Sequence, residues 1–135
     1  MQTAAFSPSM IKVLAAAASA FVLGGLWYGP LFGKLWQRLA GLSGEQLAAG
    51  NQAKIFGLSF VLATIQAWVF AMFLGANPSL ALGLGAGASA GLCWVGAAFG
   101  INDLFERRPL GLWAVNAGYH ALAFTLYGLI FGLWH

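Results

Sequence analysis

Four long runs of apolar residues alternate along the chain with short polar segments. The runs cover residues 11–30, 55–74, 80–101 and 112–133. Each run has about the 20 residues that an α-helix needs to cross the hydrocarbon core of a bilayer. Lys12 is their only Lys, Arg, Asp or Glu, and it lies close enough to a helix end to extend its ammonium group to the interface. The pattern predicts an all-α membrane protein with four transmembrane helices in one domain.

The connections between the runs are short and carry turn and capping signals. Residues 75–79 are typical of a tight turn. In the longer connection, 34–54, Ser43 and Gln46 have the spacing of a capping box, which predicts a short interfacial helix or an early start of the second span. Because short connections place successive helices side by side, we expect an antiparallel four-helix bundle.

Pro30 interrupts the end of the first run, where Gly29 and Gly33 flank it. Proline lacks a backbone donor and clashes with the preceding turn, so the first helix is expected to kink or end here. Irregular backbone at membrane depth needs protein or water as its hydrogen-bond partner. Two interpretations therefore remain: a helix end at the interface, or a re-entrant feature that lines a cavity.

The composition excludes several classes of protein. Hydrophobic residues make up 61% of the chain and charged residues only 7%, against about a quarter charged in a soluble domain. This balance excludes a soluble enzyme, a nucleic-acid-binding module and a disordered tail. We expect no enzyme activity and no cofactor, because the sequence has no catalytic triad and no phosphate-binding loop. The single cysteine, Cys93, predicts neither a disulfide nor a metal site.

The basic residues are placed unevenly along the chain. The first and third connections carry five of them together, whereas Lys12 is the only one on the other side. The positive-inside rule therefore predicts cytoplasmic connections and both termini outside. One alternative concerns residues 1–20, whose alanine-rich run resembles a signal peptide with a small-residue cleavage site at Ala18-Ser19-Ala20.

Glycines repeat every four residues in two of the runs. One set is Gly25, Gly29 and Gly33, and the other is Gly83, Gly87 and Gly91. Small residues at this spacing line one helix face and allow two backbones to approach closely. The faces predict either packing within one bundle or a homo-oligomer in the lipid bilayer.

Polar side chains of three runs are predicted at a similar depth. His120 lies roughly 18 Å along the helix from Arg108, near the middle of the bilayer. Asn116, His120 and Tyr127 share one face of the fourth run. Gln66 lies 12 residues after Lys54 and Cys93 lies 10 residues before Asp103, which places both at a similar depth.

These side chains support more than one function. Intramembrane ionisable groups are functional candidates by default, so the stripe predicts a pathway for a small solute or a proton. The alternative is a non-catalytic scaffold or accessory subunit in which the same groups are interhelical hydrogen bonds and the glycine faces pack. A metal or haem site is a third interpretation, although His120 and Cys93 supply only two soft ligands. Asp103 and Glu106 adjoin two arginines, which predicts a solvated, self-neutralised loop.

Two segments resemble the signatures of a bacterial membrane family known as domain of unknown function 1761. They are residues 24–36, GGLWYGPLFGKLW, and residues 104–120, which combine LFERR with LWAVNAGYH. The resemblance covers nearly the whole chain and implies a small multi-span protein of the bacterial cytoplasmic membrane, without an activity. The matching signature residues are Trp27, Tyr28, Pro30, Gly33, Lys34, Trp36, Glu106, Asn116, Tyr119 and His120.

Overall fold

The computed structural model describes residues 6–135, which form helices joined by short turns and contain no strand. Four helices are long and apolar enough to cross a membrane, which confirms the predicted all-α fold class. They are Met10–Leu31, Gln52–Leu74, Leu80–Phe105 and Leu110–Leu133. Each begins at or before the limit that the sequence predicts, and the first and third extend one and four residues beyond it.

The first spanning helix ends in a wide turn around Pro30. Helix α1, Met10–Leu26, passes into a π-helical turn, Trp27–Leu31. There the Phe32 amide donates to the Trp27 carbonyl over 2.8 Å, a bond that bypasses the missing N–H of Pro30. The chain then continues as a separate helix, α2, Gly33–Ala40. The regular α-helix is thus interrupted at the position that Pro30 predicts.

The first connection holds two short helices. Helix α2 ends at Gly41, whose φ of 74° lies in the left-handed region that favours glycine. Helix α3, Gly44–Ala49, begins with the predicted capping box. The Ser43 amide donates to Gln46 Oε1 over 2.7 Å, and the Gln46 amide donates to Ser43 Oγ over 3.1 Å. Helix α4, Gln52–Leu74, follows as the second span.

The third span also contains a wide turn. It consists of helix α5, Leu80–Ser89, a π-helical turn, Ala90–Gly96, and helix α6, Ala97–Phe105. Helix α7, Leu110–Leu133, is the fourth span. Both termini of the described chain and the turn at residues 75–79 lie at one end of the bundle, where His135 Nε2 is 2.8 Å from the Pro78 carbonyl oxygen.

Helix α7 packs closest of all against α5. A Cβ atom added at Gly83, Gly87 or Gly91 would overlap the α7 backbone at Gly128, Phe124 and His120, respectively. This glycine face is therefore filled inside one chain, as the first interpretation of the glycines predicts. Gly25 and Gly29 are exposed, with nothing within 4 Å of an added Cβ.

The core combines small residues of α1 and α4 with aromatic residues of α7. Val13, Ala16 and Ala20 are fully buried on α1 and pack with Phe70 and Phe124. The predicted signal-peptide segment, 1–20, falls partly outside the described residues. Its described part includes the first half of α1 and supplies part of this core.

Candidate functional site: a polar cluster on the last helix

The first third of α7 accepts hydrogen bonds from the end of the first span. Trp27 Nε1–H donates to the Val115 carbonyl over 2.9 Å, and the Tyr28 hydroxyl donates to Asn116 Oδ1 over 2.7 Å. Adjacent residues of a regular helix point in different directions, but Trp27 and Tyr28 lie in the π-helical turn and both bind α7. Trp27 and Tyr28 are two of the signature residues, and the structure shows that their polar atoms bind another helix.

His120 lies in an aromatic enclosure. Its ring stacks on Phe99 with centroids 5.0 Å apart and meets Tyr119 edge-on at 4.9 Å. The Tyr119 hydroxyl donates to the Ala20 carbonyl over 3.0 Å, so it is not available to the imidazole as a donor. Nδ1 of His120 is buried and has no hydrogen-bond partner among residues 6–135. We call Tyr28, Asn116, Tyr119 and His120 the central polar cluster.

The predicted stripe on α7 divides between two sites. Tyr127 lies nearly two turns beyond His120, and its hydroxyl donates to Gln66 Oε1 over 3.2 Å. Tyr127 is fully buried, at 1% exposure. Gln66 therefore belongs with Tyr127 and not with the central polar cluster.

Cys93 does not join the histidine. Gly91 and Gly96 on either side of it face α7 at His120 and Ala117, so Cys93 lies at a similar level along the bundle. Its side chain, however, is exposed on the outside of the third span. Cys93 therefore lies at the level of His120 but faces away from it, which removes Cys93 from the candidate site.

Asp103 departs from the predicted self-neutralised loop. Glu106 and Arg108 form the expected ion pair, with 3.0 Å between Oε1 and Nε. Arg107 Nη1 instead donates to the Phe105 carbonyl. Asp103 is only 9% exposed, and its Oδ2 atom has no hydrogen-bond partner in the described part of the chain. Neither neighbouring arginine pairs with this carboxyl group.

A sequence signal for Asp103 was present in the glycine spacing. Gly96, Gly100 and Asp103 are four and three residues apart, so they share one helical face. Gly96 and Gly100 face α7, where Trp113 Nε1–H donates to the Gly96 carbonyl over 2.8 Å. An acid that continues this face points toward the neighbouring helix and away from solvent.

The remaining signature residues surround the central polar cluster or lie at the same end of the bundle. Trp36 meets the Tyr28 ring edge-on at 5.6 Å. An added Cβ at Gly33 would overlap the Tyr28 carbonyl oxygen, which explains the need for glycine there. Lys34 and Pro30 are exposed, and Glu106 pairs with Arg108.

The chemistry of this site is that of proton acceptors and hydrogen-bond donors. Residues 6–135 contain no group of three or more His, Cys, Asp or Glu side chains that could hold a metal ion. The two buried side-chain atoms without a partner, Asp103 Oδ2 and His120 Nδ1, both belong to groups that can bind and release a proton.

Fold and site together define a multi-pass membrane protein with a polar cluster inside an apolar bundle. The chain belongs to the family described as protein of unknown function DUF1761, whose model matches residues 11–132. This match confirms the family that the two signature segments resemble. No curated protein and no solved structure matches the chain.

Proposed function

We propose that this protein exchanges protons within the membrane through Asp103 and His120. The observation that supports the proposal is that these two side chains hold the buried polar atoms without a partner in the described chain. A buried polar atom without a hydrogen bond costs about 1–3 kcal/mol, and ionisable groups within a span are rare unless they serve a function. Structural hydrogen bonds account for Asn116, Tyr127 and Gln66, but not for these two groups.

The two groups lie on neighbouring helices at different depths. Asp103 is on the last turns of α6, at the end of the bundle that carries the basic connections. His120 lies ten residues after Leu110, about 15 Å along α7. Asn116 lies one turn before His120 on α7, and the Tyr28 hydroxyl donates to it. An acid near one end and a base in the middle are two proton-binding groups of the kind that a relay uses.

A proton suits this interior better than a larger solute. Aromatic rings of Phe99 and Tyr119 contact the imidazole on two sides. The buried α7 face below them is filled by Phe124 and Tyr127. A proton can move along hydrogen bonds without the open channel that a solute requires.

The test is proton flux into liposomes that contain the purified protein and a pH-sensitive dye. A potassium gradient with valinomycin supplies the driving potential. We expect Asp103→Asn and His120→Gln each to lower the flux at least about tenfold, because each removes a proton-binding group. Glu106→Gln is the matched control, since it removes an exposed, ion-paired carboxylate three residues away.

Two results would contradict the proposal. One is wild-type flux no greater than that of protein-free liposomes. The other is an unchanged flux in Asp103→Asn and His120→Gln when circular dichroism shows that both variants retain their helices.

The second candidate function is a non-catalytic scaffold or accessory subunit. It is supported by the satisfied interhelical bonds, Tyr28 to Asn116 and Tyr127 to Gln66, which are those of a rigid bundle. The exposed Gly25 and Gly29 would then contact a second copy or another membrane protein. Cross-linking of cysteine variants at these positions in intact membranes tests this, and failure to cross-link to any protein would oppose it.

We also propose that the protein lies in the bacterial cytoplasmic membrane with both termini outside. The support is the excess of basic residues in the first and third connections. A reporter active only in the cytoplasm, fused after His135, should be inactive, and activity there would contradict this orientation.

A further inference from the structure

The end of the bundle opposite Asp103 contains a cavity of about 200 Å³. Three separate parts of the chain enclose it: residues 6–9 before α1, the turn at residues 75–78, and the end of α7 with Trp134 and His135. Buried Ala71 and Phe131 supply apolar walls. The cavity is therefore apolar on its inner side and polar at its rim, where the spans end.

Lys12 gives this cavity a positive charge. It lies in the first turn of α1 and is partly buried, with Nζ 5.9 Å from the centroid of the Trp134 ring. The one ion pair among residues 6–135 is Glu106 with Arg108, so Lys12 has no carboxylate within ion-pair distance in this part of the chain. A lysine beside a cavity, without a carboxylate partner, attracts an anionic ligand.

Acidic side chains are absent from this end of the described chain. The three acidic residues of the chain lie at the other end of the bundle: Glu45 in the first connection, Asp103 in the last turn of α6 and Glu106 directly after it. Ser7 and Ser9 line the cavity beside Lys12 and carry hydroxyl groups that can donate to an anion. The site thus combines a cation, hydroxyl donors and apolar walls.

We propose that this cavity binds the phosphate headgroup of an anionic phospholipid. The position where the spans end favours a lipid over a free anion, because the headgroup lies at that level while the acyl chains follow Phe131 and its neighbours into the bilayer. By the volume that water occupies in the liquid, the cavity has room for roughly six water-sized groups, enough for a phosphate and part of a glycerol. This inference is independent of proton exchange.

The experiment is native mass spectrometry of the detergent-solubilised protein after incubation with phosphatidylglycerol or with phosphatidylcholine of the same chains. We expect wild type to retain one phosphatidylglycerol at least about ten times more often than one phosphatidylcholine, which corresponds to about 1.4 kcal/mol. Lys12→Gln should lower retention of phosphatidylglycerol to the level of phosphatidylcholine. Lys54→Gln, at an exposed lysine of the opposite end, should leave it unchanged.

Three results would overturn the proposal. The first is equal retention of the two lipids by wild type, a comparison that does not depend on any variant folding. The second is equal loss in Lys12→Gln and Lys54→Gln, which would indicate non-specific charge attraction. The third is displacement of the lipid by millimolar inorganic phosphate, which would identify a free anion as the ligand.

Discussion

Helices α4 and α7 have almost the same length but opposite surroundings. Helix α4, with 23 residues, is the more apolar of the two, yet only Ala63, Ala67, Phe70 and Ala71 are buried on it. Helix α7, with 24 residues, has nine buried positions and contacts α1, α4 and α5. Residues 52–59, the first two turns of α4, are exposed on every side.

The difference shows that apolarity does not select the buried helix of a membrane bundle. Lipid tails are as apolar as leucine, so a leucine gains little by leaving lipid for protein. Close packing and interhelical hydrogen bonds favour burial instead. Helix α7 has both: Gly128 and Gly132 contact α5, and Asn116 and Tyr127 bind other helices.

The largest effect on stability should come from a bulky side chain placed at the glycine contact between α7 and α5. In Gly128→Leu the side chain has to occupy the space of the Gly83 backbone, so we expect a loss of about 3 kcal/mol or failure to fold. Gly57→Leu on α4 is the control, because nothing lies within 4 Å of an added Cβ there. Thermal unfolding in detergent measures both, and equal changes would contradict the comparison.

Truncation of a leucine should be costly on α7 and nearly neutral on α4. Leu112 is 3% exposed and Leu58 is 54% exposed. We expect Leu112→Ala to lower the free energy of unfolding by about 2 kcal/mol through the cavity that it leaves. We expect Leu58→Ala to change the free energy of unfolding little, because the leucine side chain is exposed and contacts lipid. Reversible unfolding with increasing SDS fraction gives both values, and a larger loss for Leu58→Ala would reverse our interpretation of α4.

The bond between α4 and α7 should have a smaller effect. Tyr127→Phe removes the hydroxyl that donates to Gln66 and keeps the ring. Hydrogen bonds between transmembrane helices contribute about 0.6 kcal/mol on average and at most about 1.7 kcal/mol. We expect a loss in this range in Tyr127→Phe and in Gln66→Leu. A double-mutant cycle measures the coupling, and additive losses would show that the two side chains do not interact.

Asp103→Asn should have the smallest effect on stability. The amide keeps the size of the carboxyl group, and Oδ2 has no hydrogen-bond partner in residues 6–135 to lose. We therefore expect a change between zero and a gain of about 1 kcal/mol. A clear destabilisation, measured against Glu106→Gln in the same unfolding assay, would assign Asp103 a structural role.

The sequence was sufficient to predict the spanning helices but not the side-chain contacts between them. The four spans and the capping box at Ser43 follow from local patterns, and the structure has them. The surroundings of Gln66 and Cys93 could not be predicted, because counting residues along a helix determines neither the side that a residue occupies nor the neighbour that it contacts. Gln66 faces Tyr127, whereas Cys93 faces outward.

Asp103 illustrates a second reason for failure. Its arginine neighbours made a solvated, self-neutralised loop the simplest prediction. Helical geometry separates them: Asp103 still belongs to α6, whereas Arg107 and Arg108 follow its last turn. Only the face shared with Gly96 and Gly100 indicates burial.

The π-helical turn of the third span affects which way its glycines face along the helix. The residues that face α7 follow steps of four, four, five and four from Gly83 through Gly87, Gly91 and Gly96 to Gly100. A regular helix would rotate the face by about 100° at the five-residue step, but the π-helical turn Ala90–Gly96 absorbs the extra residue. Deleting one residue between Gly91 and Gly96, with a regular helix restored, would give all these glycines the same four-residue spacing. The five-residue step between Gly91 and Gly96 therefore marks the π-helical turn in the sequence, and the glycines before and after it contact the same helix, α7.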